Sequence, residues 1–258
     1  MTPRAGTVSP SPSSPSSAIP SPQLRERSAK RVGRIIGLLF LAQGLIAPAL
    51  NFRLLRPVTA PGFLTTAAGS ALQIRAAVLL SFVLGALTLA VAIVAAPLFR
   101  RYSERMAVAF LALSVAGLST LAIEGMAIRG MLSLSEEYAT AGAPGELLQA
   151  LAGTARSTWR SAHFTNLLFA QGTGFLLCAI LFRFALVPRA LAAFGMAATL
   201  LSTAAVAMPL LGYRFVFLML LPVSLSQLAL MAWLIARGFE ERPDLHRADA
   251  AYDGVAGA

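Results

Sequence analysis

The sequence predicts an all-α fold: an integral membrane bundle of six transmembrane helices, with a disordered N-terminal tail. Hydrophobic residues make up 57% of the chain and charged residues 12%, whereas about a quarter of a soluble globular protein is charged. Apolar segments of about twenty residues recur six times, and each is long enough to cross a hydrocarbon layer of ~30 Å as a helix. A β-barrel is excluded, because barrel strands are about ten residues long and alternate in polarity.

Residues 1–28 are predicted to form the disordered tail. They are rich in serine and proline, so the segment buries too little apolar surface to offset the entropy of ordering it. No apolar stretch follows Arg4, so the segment lacks the pattern of a signal peptide. Recognition by a proline-binding module is an alternative role for this tail.

Residues 29–239 are predicted to form the transmembrane domain, and residues 240–258 a polar C-terminal tail. Short basic clusters and turn residues separate the apolar segments, as is typical of membrane helices. The spans are predicted at residues 35–55, 76–99, 106–132, 163–184, 190–211 and 215–236.

The distribution of basic residues predicts the orientation of the bundle. If the N-terminus is inside, fourteen of the 21 Lys and Arg residues fall on the inner side. Cytoplasmic segments carry an excess of Lys and Arg. We therefore expect a bacterial cytoplasmic membrane protein with both termini in the cytoplasm.

Two of the outer connections between spans have a distinct sequence pattern. Residues 56–74 contain two prolines and a glycine near their start and are expected to be irregular there. In residues 144–160, Leu148, Leu151, Ala155 and Trp159 recur at helical spacing. This pattern predicts an amphipathic helix on the outer membrane surface, with the tryptophan at headgroup level. The alternative is a loop helix that packs on the bundle.

Glu124 is the one acidic residue within an apolar segment. A carboxylate close to lipid depth is costly unless it faces a protein interior, a partner or water. Counting from Met106 at ~1.5 Å per residue, Glu124 lies roughly 27 Å across the membrane, which is the outer third.

The other candidate site residues lie at a similar depth: Arg129, Arg160, His163 and Asn166. We expect them to form a ligand-binding pocket with Glu124 that faces outward. Glu124 and Arg129 are five residues apart and point in different directions around the helix, so Arg160 or His163 is the better partner. The alternative is an ion pair or an interfacial side chain with only a structural role.

The sequence contains no pattern for a metal, a cofactor or a catalytic group. HExxH, a Walker loop, GxSxG and a Cys/His cluster are all absent, and no acid–base pair is evident for an enzyme acting on a lipid or a quinone. The net charge of +10 comes from clusters between apolar segments, which fits membrane topology better than nucleic-acid binding. The lone cysteine, Cys178, is expected to be a packed apolar side chain.

Three stretches of the chain resemble a bacterial multi-pass membrane family, domain of unknown function 4386. Residues 30–39 resemble its basic entry into the first span, residues 186–191 its inner turn after span four, and residues 228–238 its closing segment. Glu124 matches an acidic position of the family, whereas Gln227 stands where a glutamate is expected. The resemblance implies a six-helix bundle and supplies no catalytic residue.

Two functions are compatible with these observations. The first is a non-catalytic membrane component, a sensor or an assembly partner, in which the polar residues only hold helices together. The second is a carrier of a small ligand or an ion, with an outward-facing polar cavity around Glu124 and His163. The expected partners are the lipid bilayer and a second copy or another membrane protein. The scarcity of polar residues in the spans favours the first function.

Overall fold

The computed structural model describes residues 22–141 and 145–240, and within these ranges the chain is helical without any strand. Most of the predicted N-terminal tail and nearly all of the C-terminal one lie outside the described residues. The long helices are α1 (Pro22–Ala49), α4 (Ala71–Arg100), α5 (Glu104–Ala141), α6 (Gly145–Arg183), α7 (Arg189–Ala207) and α8 (Leu221–Arg237). Two short helices, α2 (Arg56–Thr59) and α3 (Phe63–Thr66), lie between α1 and α4.

Six helical stretches are long and apolar enough to cross a membrane, which confirms the predicted number. They are Glu26–Leu54, Ala68–Arg100, Glu104–Thr140, Glu146–Arg183, Arg189–Leu211 and Phe217–Arg237. Each long helix packs against its neighbours along the chain, and α8 packs against α1. The six helices therefore form a closed ring. We call the end where α1 begins and α8 ends the tail end, and the opposite end, with α2 and α3, the cap end.

Glycines allow the first and last helices to approach closely where the ring closes. A Cβ atom on Gly33 would lie 2.4 Å from the backbone nitrogen of Phe239, and one on Gly238 would lie 2.4 Å from the carbonyl oxygen of Lys30. Gly238 has a φ of +74°, a conformation that residues with a Cβ rarely adopt. The segment after α8 is thereby held against α1, and Phe239 is completely buried.

The apolar interior consists of two cores. The tail-end core takes residues from all six long helices, for example Ile36, Phe99, Phe110, Leu181, Ala192 and Leu234. The cap-end core takes residues from the region around α2 and α3 and from α4, α5 and α6, for example Leu50, Phe63, Ile74, Met131 and Ala152. No residue of α7 or α8 belongs to the cap-end core. Helix α7 is nevertheless buried along its length, since Ala205 and Val206 near its cap end are completely buried.

Several predicted boundaries differ from the structure. Helix α1 begins at Pro22, so residues 22–28, which were assigned to the disordered tail, are helical. The predicted spans 106–132 and 163–184 are parts of α5 and α6, which contain 38 and 39 residues. At ~1.5 Å per residue both helices are almost 60 Å long. The α5–α6 hairpin therefore extends beyond the other long helices at the cap end.

The predicted amphipathic helix on the membrane surface is wrong. Residues 145–183 form one continuous helix, so residues 145–160 do not turn into the plane of the membrane. Their apolar stripe packs against protein, because Leu148 and Ala152 are buried, whereas Leu151 is exposed. No glycine or proline lies between Thr154 and Phe164 to break the helix, and the cap-end core covers the stripe.

The segment between α1 and α4 forms the cap. Pro48 cannot donate a backbone hydrogen bond, and soon after it the helix widens to a π-helical turn, Leu50–Leu54. Two side chains then attach the cap to the α5–α6 hairpin. The Ser135 hydroxyl donates to the carbonyl of Leu64 and accepts from the Ala68 amide, both at 2.8 Å. The Arg156 guanidinium donates to the carbonyls of Thr59 and Ala60. The segment expected to be irregular is therefore a folded cap.

Candidate functional site

Glu124 meets two side chains of the neighbouring helix. Its Oε1 lies 2.7 Å from Nδ1 of His163, and its Oε2 accepts a hydrogen bond of 2.9 Å from Nδ2 of Asn166. An ionised carboxylate only accepts hydrogen bonds, so this contact is a hydrogen bond in the tautomer whose Nδ1 carries the proton. Only 8% of the Glu124 side chain is exposed. The carboxylate is thus buried and hydrogen-bonded at both oxygens.

A hydroxyl group continues this network on α5. The Thr120 hydroxyl lies 3.2 Å from Oδ1 of Asn166 and 2.8 Å from the carbonyl oxygen of Gly117. Asn166 therefore contacts two residues of α5, one at each end of its amide. We call Thr120, Glu124, His163 and Asn166 the polar cluster. It joins α5 to α6 by side-chain hydrogen bonds within an otherwise apolar contact.

The helix geometry gives the depth of the polar cluster. Glu124 lies twenty residues from the start of α5, and His163 twenty residues from the end of α6, which corresponds to ~30 Å along each helix. This distance is about the thickness of a hydrocarbon core. The turn between α7 and α8 lies at the same level, because Phe215 contacts Phe164 with ring centroids 5.5 Å apart. The cluster therefore lies close to the cap-end boundary of the apolar region.

Aromatic rings fix the orientation of His163. Its ring stacks on Trp159, with centroids 5.5 Å apart and planes inclined by 24°, and meets the edge of Phe164. The side chain is 24% exposed. Within the described part of the chain, no hydrogen bond satisfies Nε2 of His163. The free ring nitrogen is the part of the cluster that is open to a proton or to a ligand.

The two arginines among the predicted site residues do not join the cluster. Arg129 and Arg160 are both exposed, and among the described residues neither forms a hydrogen bond or an ion pair with Glu124. The structure therefore brings together Glu124, His163 and Asn166 and leaves the arginines at the surface. Both arginines lie on the cap-end side of the cluster, where a long side chain extends toward water.

The side chains of the cluster are a poor set of metal ligands. One carboxylate and one imidazole contact each other directly, and no group of three His, Cys, Asp or Glu side chains occurs in residues 22–141 and 145–240. The arrangement instead resembles the carboxylate–histidine pair in which the carboxylate orients the imidazole. Nucleophilic catalysis needs a nucleophile at hydrogen-bonding distance from the base that activates it. The described residues around His163 do not place such a group beside the imidazole.

Thr120 was not among the site residues predicted from the sequence. The spacing in the sequence indicates its place, because Thr120 lies one helical turn before Glu124 and so shares its face of the helix. Two other amide side chains of the predicted spans, Gln43 and Gln227, have different surroundings. Gln227 is exposed, whereas the Nε2 of Gln43 is buried without a partner among the described residues. Neither amide contacts the polar cluster.

Comparison with known proteins gives one result. The chain matches the family described as "Domain of unknown function (DUF4386)" over residues 35–238, which is most of its 258 residues. Searches of curated proteins and of solved structures found no match. The family match confirms the resemblance inferred from the three sequence stretches.

Proposed function

Because the chain belongs to the family described as domain of unknown function DUF4386, a description without an activity, we propose its role from its own side chains. We propose that it is a non-catalytic component of a membrane, a sensor or an assembly partner. In this proposal the polar cluster joins α5 to α6 and so maintains the long hairpin that extends at the cap end. The hairpin and its cap then present a surface to a second copy or to another membrane protein.

One observation carries this proposal. Both carboxylate oxygens of Glu124 are used by side chains of α6, and the carboxylate is 8% exposed. A carrier site needs polar atoms that a ligand can reach, whereas a structural site uses its polar atoms on the protein itself. Polar side chains within membrane helices commonly join helices by hydrogen bonds. The buried and satisfied carboxylate therefore favours a structural role over transport.

We also propose the orientation and location expected from the sequence. In this proposal the tail end faces the cytoplasm of a bacterium, because the sequence then assigns fourteen of the 21 Lys and Arg residues to the inner segments. A fusion of alkaline phosphatase to the C-terminus, an enzyme that needs its disulfides, is then expected to be inactive. A fluorescent protein at the same place is expected to be bright. The reverse pattern would contradict this orientation.

The absence of transport can be tested in proteoliposomes. We expect vesicles that contain the purified protein to show no proton, sodium or potassium flux above protein-free vesicles, as read by pH-sensitive and potential-sensitive dyes. Native mass spectrometry of extracts in mild detergent is expected to give one discrete assembly. Glu124→Gln is expected to reduce the yield of that assembly, because it weakens the α5–α6 contact. A flux that Glu124→Gln abolishes would contradict the proposal.

A second function, a carrier of a small ligand or an ion, is favoured by one specific observation. His163 has a free Nε2, and its side chain is 24% exposed. The cap-end core contains no residue of α7 or α8. A thermal shift on addition of a ligand that disappears in His163→Gln would support the carrier. Glu137→Gln is a suitable control, because Glu137 is exposed on the same helix as Glu124.

A further inference from the structure

The cap contains a second candidate site, separate from the polar cluster. A cavity of about 360 Å³ opens between the π-helical turn after α1 and the start of α4. Its lining residues are Arg53, Arg56, Pro57, Ala60, Pro61, Thr66 and Ser70. No acidic residue is among them, so the cavity has a net positive charge.

The two arginines of this cavity lack an acidic partner. Arg53 and Arg56 are three residues apart and both exposed, and within residues 22–141 and 145–240 neither forms an ion pair. Two other arginines of the cap end are occupied: Arg75 forms a 2.7 Å ion pair with Glu136, and Arg156 donates to two backbone carbonyls. Two neighbouring guanidinium groups without a counter-charge are a suitable site for an anion.

The backbone holds the arginines at this place. The π-helical turn Leu50–Leu54 ends with the Leu55 amide bonded to the Leu50 carbonyl at 2.9 Å. The Gln73 amide donates to the Leu54 carbonyl at 2.9 Å, which ties the turn to α4. π-helical turns within helices occur frequently at functional sites. The two guanidinium groups therefore extend from a folded segment with fixed backbone contacts.

The cavity lies at the depth of lipid headgroups. Gly37 of α1 packs beside Ile235 of α8, and Arg53 follows Gly37 by sixteen residues, or ~24 Å of helix. Helix α8 extends from Ile235 back to Leu221 over fourteen residues, or ~21 Å. Arg53 is therefore level with the start of α8, at the cap-end boundary of the apolar helices.

From these observations we propose that the cap cavity binds the phosphate group of an anionic ligand. Arg53 and Arg56 contact the phosphate oxygens, and the Ser70 hydroxyl is a further donor from the lining. Pro57, Ala60 and Pro61 form an apolar wall beside the arginines, which suits an amphiphile. Such a phosphate comes either from a phospholipid headgroup or from a free phosphate, and the experiment below separates the two sources.

The test compares lipid binding to the wild type and to the double variant Arg53→Gln/Arg56→Gln by native mass spectrometry in detergent. Phosphatidylglycerol, phosphatidylcholine and inorganic phosphate are the probes. We expect phosphatidylglycerol to bind the wild type more tightly than phosphatidylcholine, and the double variant to lose this preference with roughly tenfold weaker binding of phosphatidylglycerol. Arg214→Gln is the matched control, because Arg214 is an exposed arginine beside the α7–α8 turn and outside the cavity.

The three probes separate the possible results. Phosphatidylglycerol binding that inorganic phosphate does not displace identifies a lipid headgroup as the ligand. Saturable binding of inorganic phosphate that is lost in the double variant identifies a free phosphate. Equal binding of all probes to the wild type and the double variant would overturn the proposal. The variant Arg53→Lys/Arg56→Lys keeps both charges but not the bidentate geometry, so its binding is expected to be intermediate and gives a second test.

Discussion

Introducing a single methyl group at Gly33 or at Gly238 is expected to destabilise the bundle strongly. A Cβ on Gly33 would lie within 2.8 Å of three backbone atoms of Gly238 and Phe239. A Cβ on Gly238 would lie within 2.9 Å of three backbone atoms of Lys30. Backbone cannot rotate away as a flexible side chain can, so the helices themselves must separate. Overpacking of this kind costs ~1–3 kcal/mol.

Gly238→Ala carries an additional cost. The φ of +74° and ψ of −158° at this position lie in a region that is essentially restricted to glycine, and a residue with a Cβ there costs about 1–3 kcal/mol. The two costs together predict a loss of ~2–6 kcal/mol for Gly238→Ala. They also predict release of the segment that places Phe239 in the tail-end core and bonds the Glu240 amide to the Leu186 carbonyl at 2.9 Å.

Thermal unfolding of the purified protein in detergent is the measurement for both variants. Gly44→Ala is the matched control, because Gly44 lies on the same helix as Gly33 and a Cβ there meets nothing within 4 Å. The control is expected to be neutral or slightly stabilising, since Ala is favoured over Gly in a helix by up to ~1 kcal/mol. Equal melting temperatures for Gly33→Ala and Gly44→Ala would show that α1 and α8 do not approach as closely as described.

Glu124→Leu is expected to separate α5 from α6 at the polar cluster. The change removes the acceptor for Nδ1 of His163 and for Nδ2 of Asn166. A buried donor left without a partner costs ~1–3 kcal/mol. Because His163 is partly exposed, water replaces part of the hydrogen bonding that its ring loses. We therefore expect a total loss of ~2–4 kcal/mol.

Two further variants, Glu124→Gln and Glu137→Gln, are expected to lose progressively less stability than Glu124→Leu. Glu124→Gln keeps one acceptor oxygen, so its loss is expected to be smaller than that of Glu124→Leu. Glu137→Gln removes an exposed carboxylate from the same helix and is expected to change stability by less than ~0.5 kcal/mol. Hydrogen exchange at residues 117–124 and 163–169 reports the local opening. If Glu124→Leu melts like Glu137→Gln, the cluster does not hold the helices together and the proposed structural role fails.

The candidate site was predicted from the sequence in part. A carboxylate within an apolar segment needs a partner, and His163 and Asn166 lie at the same depth in the next span, so their contact with Glu124 was anticipated. Arg129 and Arg160 lie at a similar depth, yet they are exposed. Depth follows from counting residues, whereas the direction of a side chain depends on how each helix is rotated against its neighbour.

The cap and the length of α6 were missed for a related reason. The sequence predicts an amphipathic helix at residues 145–160, and the apolar face of such a helix packs equally well on lipid or on protein. The cap-end core decides between the two surfaces, because it includes Ala152 and packs against Ala155 and Trp159. The cap residues come from the connection between α1 and α4, about ninety residues earlier in the chain. A contact between segments so far apart cannot be predicted from the local pattern of either one.

The sequence by itself determined the fold class and the six spans, because hydrophobicity and length are local properties and the bilayer thickness sets the same minimum for every helix. Only the tertiary structure decided which polar groups meet. Glu124 and His163 are 39 residues apart, and Arg53 of the π-helical turn and Arg56 of α2 line the same cavity. Such contacts depend on the rotation and packing of whole helices, and the close approach at Gly33 and Gly238 shows how finely that packing is set.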